Sequence, residues 1–119
     1  MNRHHPQLNA DQVWFIHKML DALDPFFKIR TAMPARCIEA FLLVALREGQ
    51  SCIAYAKDAD MSPTTMSRNL LDLGERDRKG DEGAGLIEGF EDILDRRQKS
   101  YRLTHKGRAL LAAITGRVK

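Results

Sequence analysis

Along this chain apolar residues recur every three or four positions over several stretches, and near the C-terminal end they alternate over a short one. Asn9 and Gln12 form a capping pair, and Val13, Ile16, Leu20 and Leu23 follow as a helical stripe widened by Trp14, Phe15 and Met19. A first helix is predicted from about 10 to 23. Asp24-Pro25 ends it, because the residue before a proline avoids helical angles. Pro34 opens a second helix to about 48, with Gly49 as its left-handed cap. Cys37, Ile38 and residues 40–46 leave it little polar face, which marks it as the central buried helix. Ser51 caps a short third helix to about 59, with Ile53, Tyr55 and Ala56 facing inward. Asp60 then sits where a left-handed residue is needed, since aspartate tolerates those angles better than most.

Ser62 caps the next helix and Pro63 suits its first position. Met66, Leu70 and Leu73 make one apolar stripe, while Thr64, Thr65, Arg68 and Asp72 lie on or beside the opposite face. Two short helices joined by a tight turn form a helix-turn-helix. The segment 74–84 is charged and rich in glycine, so it reads as a loop. Residues 85–91 and 99–103 are strand-like on either side of a polar turn. In the second strand Tyr101 and Leu103 alternate with Ser100 and Arg102, giving one covered face and one wet face. Thr104 caps a last helix that carries Leu110, Leu111 and Ile114 and ends near Gly116. The fold class is mainly α with a small β-hairpin wing, a winged helix-turn-helix. It is one domain over 1–119: an N-terminal helix and loop (8–30), the helix-turn-helix (51–74), the wing (85–103) and a C-terminal helix (104–116).

Composition adds little to this picture, but charge placement adds more. With 44% hydrophobic residues over 119 positions, the chain can build a core without staples. Its longest apolar run, 40–46, cannot span a bilayer, and no signal-peptide core follows the N-terminus. A cytoplasmic protein with no membrane partner is expected. Cys37 and Cys52 lack a CxxC pattern and read as buried reduced thiols. Net charge is +3, yet residues 1–60 hold seven basic against seven acidic side chains. The excess lies in the second half. From 95 to 119 eight basic residues oppose only Asp95, and such a concentration attracts a polyanion through counterion release. No nucleophile motif, phosphate loop, metal-ligand spacing or paired carboxylates stand out, so neither an enzyme nor a cofactor is expected.

The ordered motifs resemble the MarR family of winged-helix transcription regulators. Ser62-Pro63-Thr64-Thr65-Met66-Ser67-Arg68 is similar to the start of that family's recognition helix, and Gly85-Leu86-Ile87-Glu88 to the beginning of its wing. Asp92-Ile93-Leu94-Asp95-Arg96-Arg97 resembles its DxxDxR wing tip, and Leu103-Thr104-His105-Lys106-Gly107 the LTxKG segment that follows. The resemblance implies that Arg97 enters the minor groove with Asp95 holding it in position. Segment 74–84 is longer than the family's usual connection, Gly89 stands where a basic residue is frequent, and the chain stops soon after the post-wing helix.

The expected function is therefore sequence-specific binding of double-stranded DNA as a small regulator, a repressor. Ser62, Thr64, Thr65, Ser67 and Arg68 would read the major groove, since short hydroxyls let a helix approach closely and arginine reaches a guanine edge. Asp95, Arg96, Arg97, Lys99 and Arg102 would serve from the wing, with Arg96, Lys99 and Arg102 on phosphates. Residues 8–30 offer a homodimer contact. The alternatives are a protein-interaction or assembly module and a replication or packaging protein of a mobile element. Nothing in Trp14, Phe26, Phe27 or Tyr55 marks a small-molecule effector pocket, and each reads as core.

Overall fold

The computed structural model describes residues 7–91, 93–94 and 98–118. The element order is α1 (Ala10–Ile29), α2 (Ala35–Leu46), α3 (Cys52–Asp58), α4 (Pro63–Leu73), β1 (Ile87–Glu91), β2 (Lys99–Leu103) and α5 (His105–Val118). The fold is mainly helical with one two-stranded antiparallel sheet among the described residues, the β-hairpin wing that the pattern predicts. Phe26, Phe41, Val44, Tyr55, Met66, Leu70, Leu86, Leu103 and Leu110 belong to one continuous core. That core joins α2, α4, the wing base and α5. Beyond it α1 and α5 pack along each other, and the molecule is elongated, 64 × 27 × 26 Å.

The N-terminus of α1 follows the prediction: the Gln12 amide donates to Asn9 Oδ1 at 2.8 Å and the Asn9 amide to Gln12 Oε1 at 2.9 Å. Its end does not. The helix continues through Pro25 to Ile29. A proline in a helix interior leaves a carbonyl one turn back without its usual donor. Burial outweighs that loss, because Pro25 and Phe26 are both covered and the Phe26 ring meets Phe41 edge-on at 5.5 Å.

Helix α2 ends at Leu46, two residues before the expected Glu48, though Gly49 does adopt φ +89°. The chain leaves the helix early to pair with the wing: the Gly49 amide donates to the Tyr101 carbonyl at 2.8 Å and the Tyr101 amide to the Gln50 carbonyl at 3.2 Å. Ser51 bridges Ser100, so Ser100 is buried, not on the wet side of the strand. Nor is α2 covered all round. Leu46 is 78% exposed and Leu42 is exposed beside it. In α3 Tyr55 and Ala56 face inward as predicted, whereas Ile53 points to solvent. Helix α5 passes Gly116 to reach Val118.

The 74–84 segment is an ordered miniature hairpin. The Gly85 amide donates to the Gly74 carbonyl, the Gly83 amide to Glu75 and the Asp77 amide to Asp81, each at 2.8 Å. Asp77 Oδ1 accepts from the amides of Lys79 and Asp81, closing the tip as an aspartate turn.

Candidate nucleic-acid interface

The site begins at the turn between α3 and α4. Asp60 takes φ 52°, as its residue type allows, and turns the chain so that Ser62 starts α4. Ser62 Oγ accepts the Thr65 amide at 3.1 Å and donates to Thr65 Oγ1 at 2.9 Å. The Ser62 hydroxyl is thus occupied as a cap, while the Thr65 hydroxyl keeps its own proton for an outside acceptor. Met66, Leu70 and Leu73 are all buried, which turns Thr64, Thr65, Ser67 and Arg68 to solvent together with Ser62. Among the described residues no acidic group pairs with Arg68. A helix with this face offers donors and acceptors at its N-terminal end and one uncommitted cation a turn later.

Residues outside the expected set hold α4 in place. Asn69 Nδ2 lies 3.7 Å from Met61 Sδ, and Cys37 Sγ lies 3.6 Å from Asn69 Oδ1, so one amide links α2, the turn and α4. An asparagine just before a buried leucine was the available signal. Asp72 accepts the Arg78 amide at 3.4 Å and pairs with the Arg78 guanidinium at 3.6 Å, so it ties down the miniature hairpin. Burial, followed by the Asp72 carboxylate, pushes the Cys37 thiol up, and burial does the same for Cys52. Both thiols are free; Cys37 is buried as expected, whereas Cys52 is only half-buried.

The wing is seated by two clamps. Thr104 Oγ1 donates to the Gly85 carbonyl at 2.7 Å and accepts the Gly107 amide at 3.0 Å. A Cβ at Gly107 would stand 2.0 Å from the Leu86 carbonyl oxygen, so the LTxKG glycine lets α5 lie against the wing. The second clamp escaped notice in the sequence: Glu48 Oε1 accepts the Leu103 amide and the Arg108 guanidinium, both at 2.8 Å. On the strands, Ile87 faces Leu103 and Glu91 faces Lys99. Arg102 donates to Glu88 Oε1 at 2.8 Å and stacks over Phe90 with 4.7 Å to the ring centroid. A phosphate would have to compete with Glu88 for it. Lys99 is exposed. A side chain at Gly89 would meet the Tyr101 ring at 3.2 Å, so the ring would have to shift slightly to admit one. Asp95, Arg96 and Arg97 lie outside the described residues.

Between the C-terminal half of α4, the miniature hairpin and the wing runs an open cleft of about 980 Å³, with Arg76, Lys99 and Lys106 facing Glu75, Glu82 and Glu88. Its mixed charge gives it no preference for an anion. Among the described residues no cluster of His, Cys, Asp or Glu could hold a metal, and no helix is long and apolar enough to cross a membrane.

No family profile matches the sequence, and no curated protein is similar to it at a significant level. Solved structures do match. The chain is similar to the transcriptional repressor CouR bound to a 23-mer DNA duplex, at 23% identity over 92% of this chain and 70% of that one, with a TM-score of 0.62. A mutant of S. aureus MepR bound to an oligodeoxyribonucleotide matches at 21% identity over 92% and 76%, TM-score 0.62. MarR itself matches at 16% identity over 88% and 69%, TM-score 0.62. These likenesses establish the winged-helix fold of MarR-type regulators for this chain.

Proposed function

We propose that this chain, which shares the fold of DNA-bound MarR-type regulators, binds double-stranded DNA sequence-specifically as a small transcription repressor in the cytoplasm, acting by binding and not by catalysis. The observation that carries this reading is the solvent face of α4, where Thr64, Thr65, Ser67 and Arg68, which pairs with no acidic group among the described residues, stand together above a fully buried stripe. In this reading α4 enters the major groove. Lys99 and Arg102 contact phosphates together with Arg96, and Arg97 enters the minor groove with Asp95 beside it. Selection from a random duplex pool, followed by sequencing of the bound fraction, tests it. A recovered palindrome with half-sites about 10 base pairs apart is the expected result. Recovery of no motif would sink it in favour of a protein-interaction module.

A homodimer belongs to the same proposal. Trp14, Phe15, Met19 and Leu20 of α1 are 47–59% exposed, a large apolar face for a 13.5 kDa protein. Light scattering at micromolar concentration is expected to give twice that mass, and a monomer mass would remove the dimer.

A further inference from the structure

Helix α4 packs on α2 and α3, whereas α1 packs on α5, and the 74–84 hairpin links the end of one to the end of the other. At the α4 end, the Ala84 amide donates to the Asp72 carbonyl at 3.0 Å and the Leu86 amide to the Leu73 carbonyl at 2.8 Å. The neck of the hairpin thus takes up carbonyls that a helix terminus otherwise leaves open. It is tightly drawn, since a Cβ at Gly83 would stand 2.1 Å from the Gly74 carbonyl oxygen. At the α1 end, Arg30 Nη2 donates to the Glu82 carbonyl at 2.7 Å, 52 residues along the chain. The root of Arg30 is fixed too: its amide donates to the Phe26 carbonyl at 3.0 Å and its carbonyl accepts the Met33 amide at 3.2 Å. The α1–α2 corner and the hairpin otherwise flank an open cleft of about 360 Å³, so the guanidinium spans a gap. A bond at the surface holds an angle when both of its ends are anchored, as these are. The hairpin itself is ill suited to touch DNA. Segment 74–84 has three basic side chains against four acidic ones, Arg78 is engaged by Asp72, and Arg76 donates to the Gly80 carbonyl at 3.1 Å.

We propose that the 74–84 hairpin is a strut between α1 and α4, and that Arg30, by holding the Glu82 carbonyl, is a positioning residue that fixes the half-site spacing the protein accepts. The inference rests on the DNA-binding and homodimer readings above. If copies meet through α1, the angle between α1 and α4 sets the separation of the two α4 helices, and so the distance between the grooves they enter. A strut that stiffens this angle penalises duplexes whose half-sites are displaced. Arg30 then shapes specificity without touching DNA.

The test compares the full chain with Arg30→Ala on the duplex recovered by selection and on two others whose spacer is lengthened or shortened by one base pair. Arg30 is exposed and outside the core, so the variant keeps its fold. On the selected duplex it should lose about 3- to 10-fold in affinity, the net worth of one hydrogen bond. On the displaced duplexes it should lose less, which narrows the preference for one spacing. The slope of log K against log salt should stay unchanged, because no phosphate contact is removed. Amide exchange should quicken at Gly83 and Ala84 in the hairpin and not at Val44 in the core of α2. An unaltered spacing preference overturns the proposal while leaving the DNA-binding reading intact. An equal loss on all three duplexes with a flatter salt slope also overturns it, because Arg30 would then be a phosphate contact. Faster exchange at Val44 overturns it as well, since Arg30 would then serve only the fold. If the wild type binds no duplex, or scatters as a monomer, the readings beneath the proposal fail and take the spacing role with them.

Discussion

Helices α1 and α4 are both amphipathic, but only α4 is finished within the monomer. Its apolar stripe, Met66, Leu70 and Leu73, is no more than 2% exposed, and what it shows to solvent is hydroxyls and Arg68. Helix α1 does the reverse over most of its length: Val13, Trp14, Phe15, Ile16, Met19 and Leu20 are all exposed. Only its last turns, around Phe26, reach the core. A buried stripe under a polar face leaves only polar groups to offer a partner. An exposed stripe marks a surface still missing an apolar one. The two ends of the molecule therefore suit different kinds of neighbour.

The same type of truncation on each helix breaks or upholds that contrast. Met66→Ala removes a fully buried side chain and should destabilise the fold by about 2–5 kcal/mol. Phe15→Ala, at 58% exposure, should change monomer stability by no more than about 0.5 kcal/mol, with any larger effect appearing only where the chain associates. Urea denaturation at several protein concentrations separates the two. Comparable, concentration-independent losses would mean that α1 is already complete.

The polar face of α4 is tested by leaving the core alone. Arg68→Ala, and Arg97→Ala on the wing, should each weaken binding to the selected duplex by about 1–3 kcal/mol at fixed salt. Stability should stay within about 0.5 kcal/mol for Arg68→Ala, since Arg68 is exposed. Wild-type affinity in both variants would remove these residues from the interface.

What could be read in the sequence divides along the same lines. Elements whose apolar spacing, cap and packing agree were legible to within a residue or two, as at Ser62 with Met66, Leu70 and Leu73, or at Thr104 before α5. Three of the misreadings involve a distant partner overriding a local signal; Ile53, Trp14 and Phe27, read as inward or core, are simply exposed. Pro25 predicts an end, yet Phe41, far along the chain, rewards keeping Phe26 in the helix. Ser100 alternates as a wet position, yet Ser51 covers it. Glycines and charges predict a plain loop at 74–84, yet Asp72, Asp77 and Glu82 tie it into a hairpin, with the Glu82 carbonyl accepting from Arg30 at 2.7 Å. For the candidate site, the exposed face of α4 was legible because helical periodicity alone turns it outward. Engagement of Arg102 by Glu88 and Phe90 was not, since it depends on strand register and a ring from the facing strand.

Glu48 gives the mildest test of how the finished end is held together. Its carboxylate accepts the Leu103 amide and the Arg108 guanidinium, joining the exit of α2 to the last wing residue and to α5. Glu48→Gln keeps an oxygen for the Leu103 amide and removes only the charge. The Arg108 pair is partly solvated, with side chains 55% and 33% exposed, so its loss should cost about 0.2–1 kcal/mol in stability. Glu48→Ala also strips the Leu103 amide of its partner and should cost more, because a half-buried donor is then left to water alone. If Glu48 seats the wing, the alanine variant should weaken DNA binding while the glutamine variant stays near wild type, since the backbone contact and not the charge sets the strand. Equal DNA binding by both variants and wild type would mean that Thr104 and the Ser51–Ser100 bridge suffice to seat the wing, and that the carboxylate serves α5 alone.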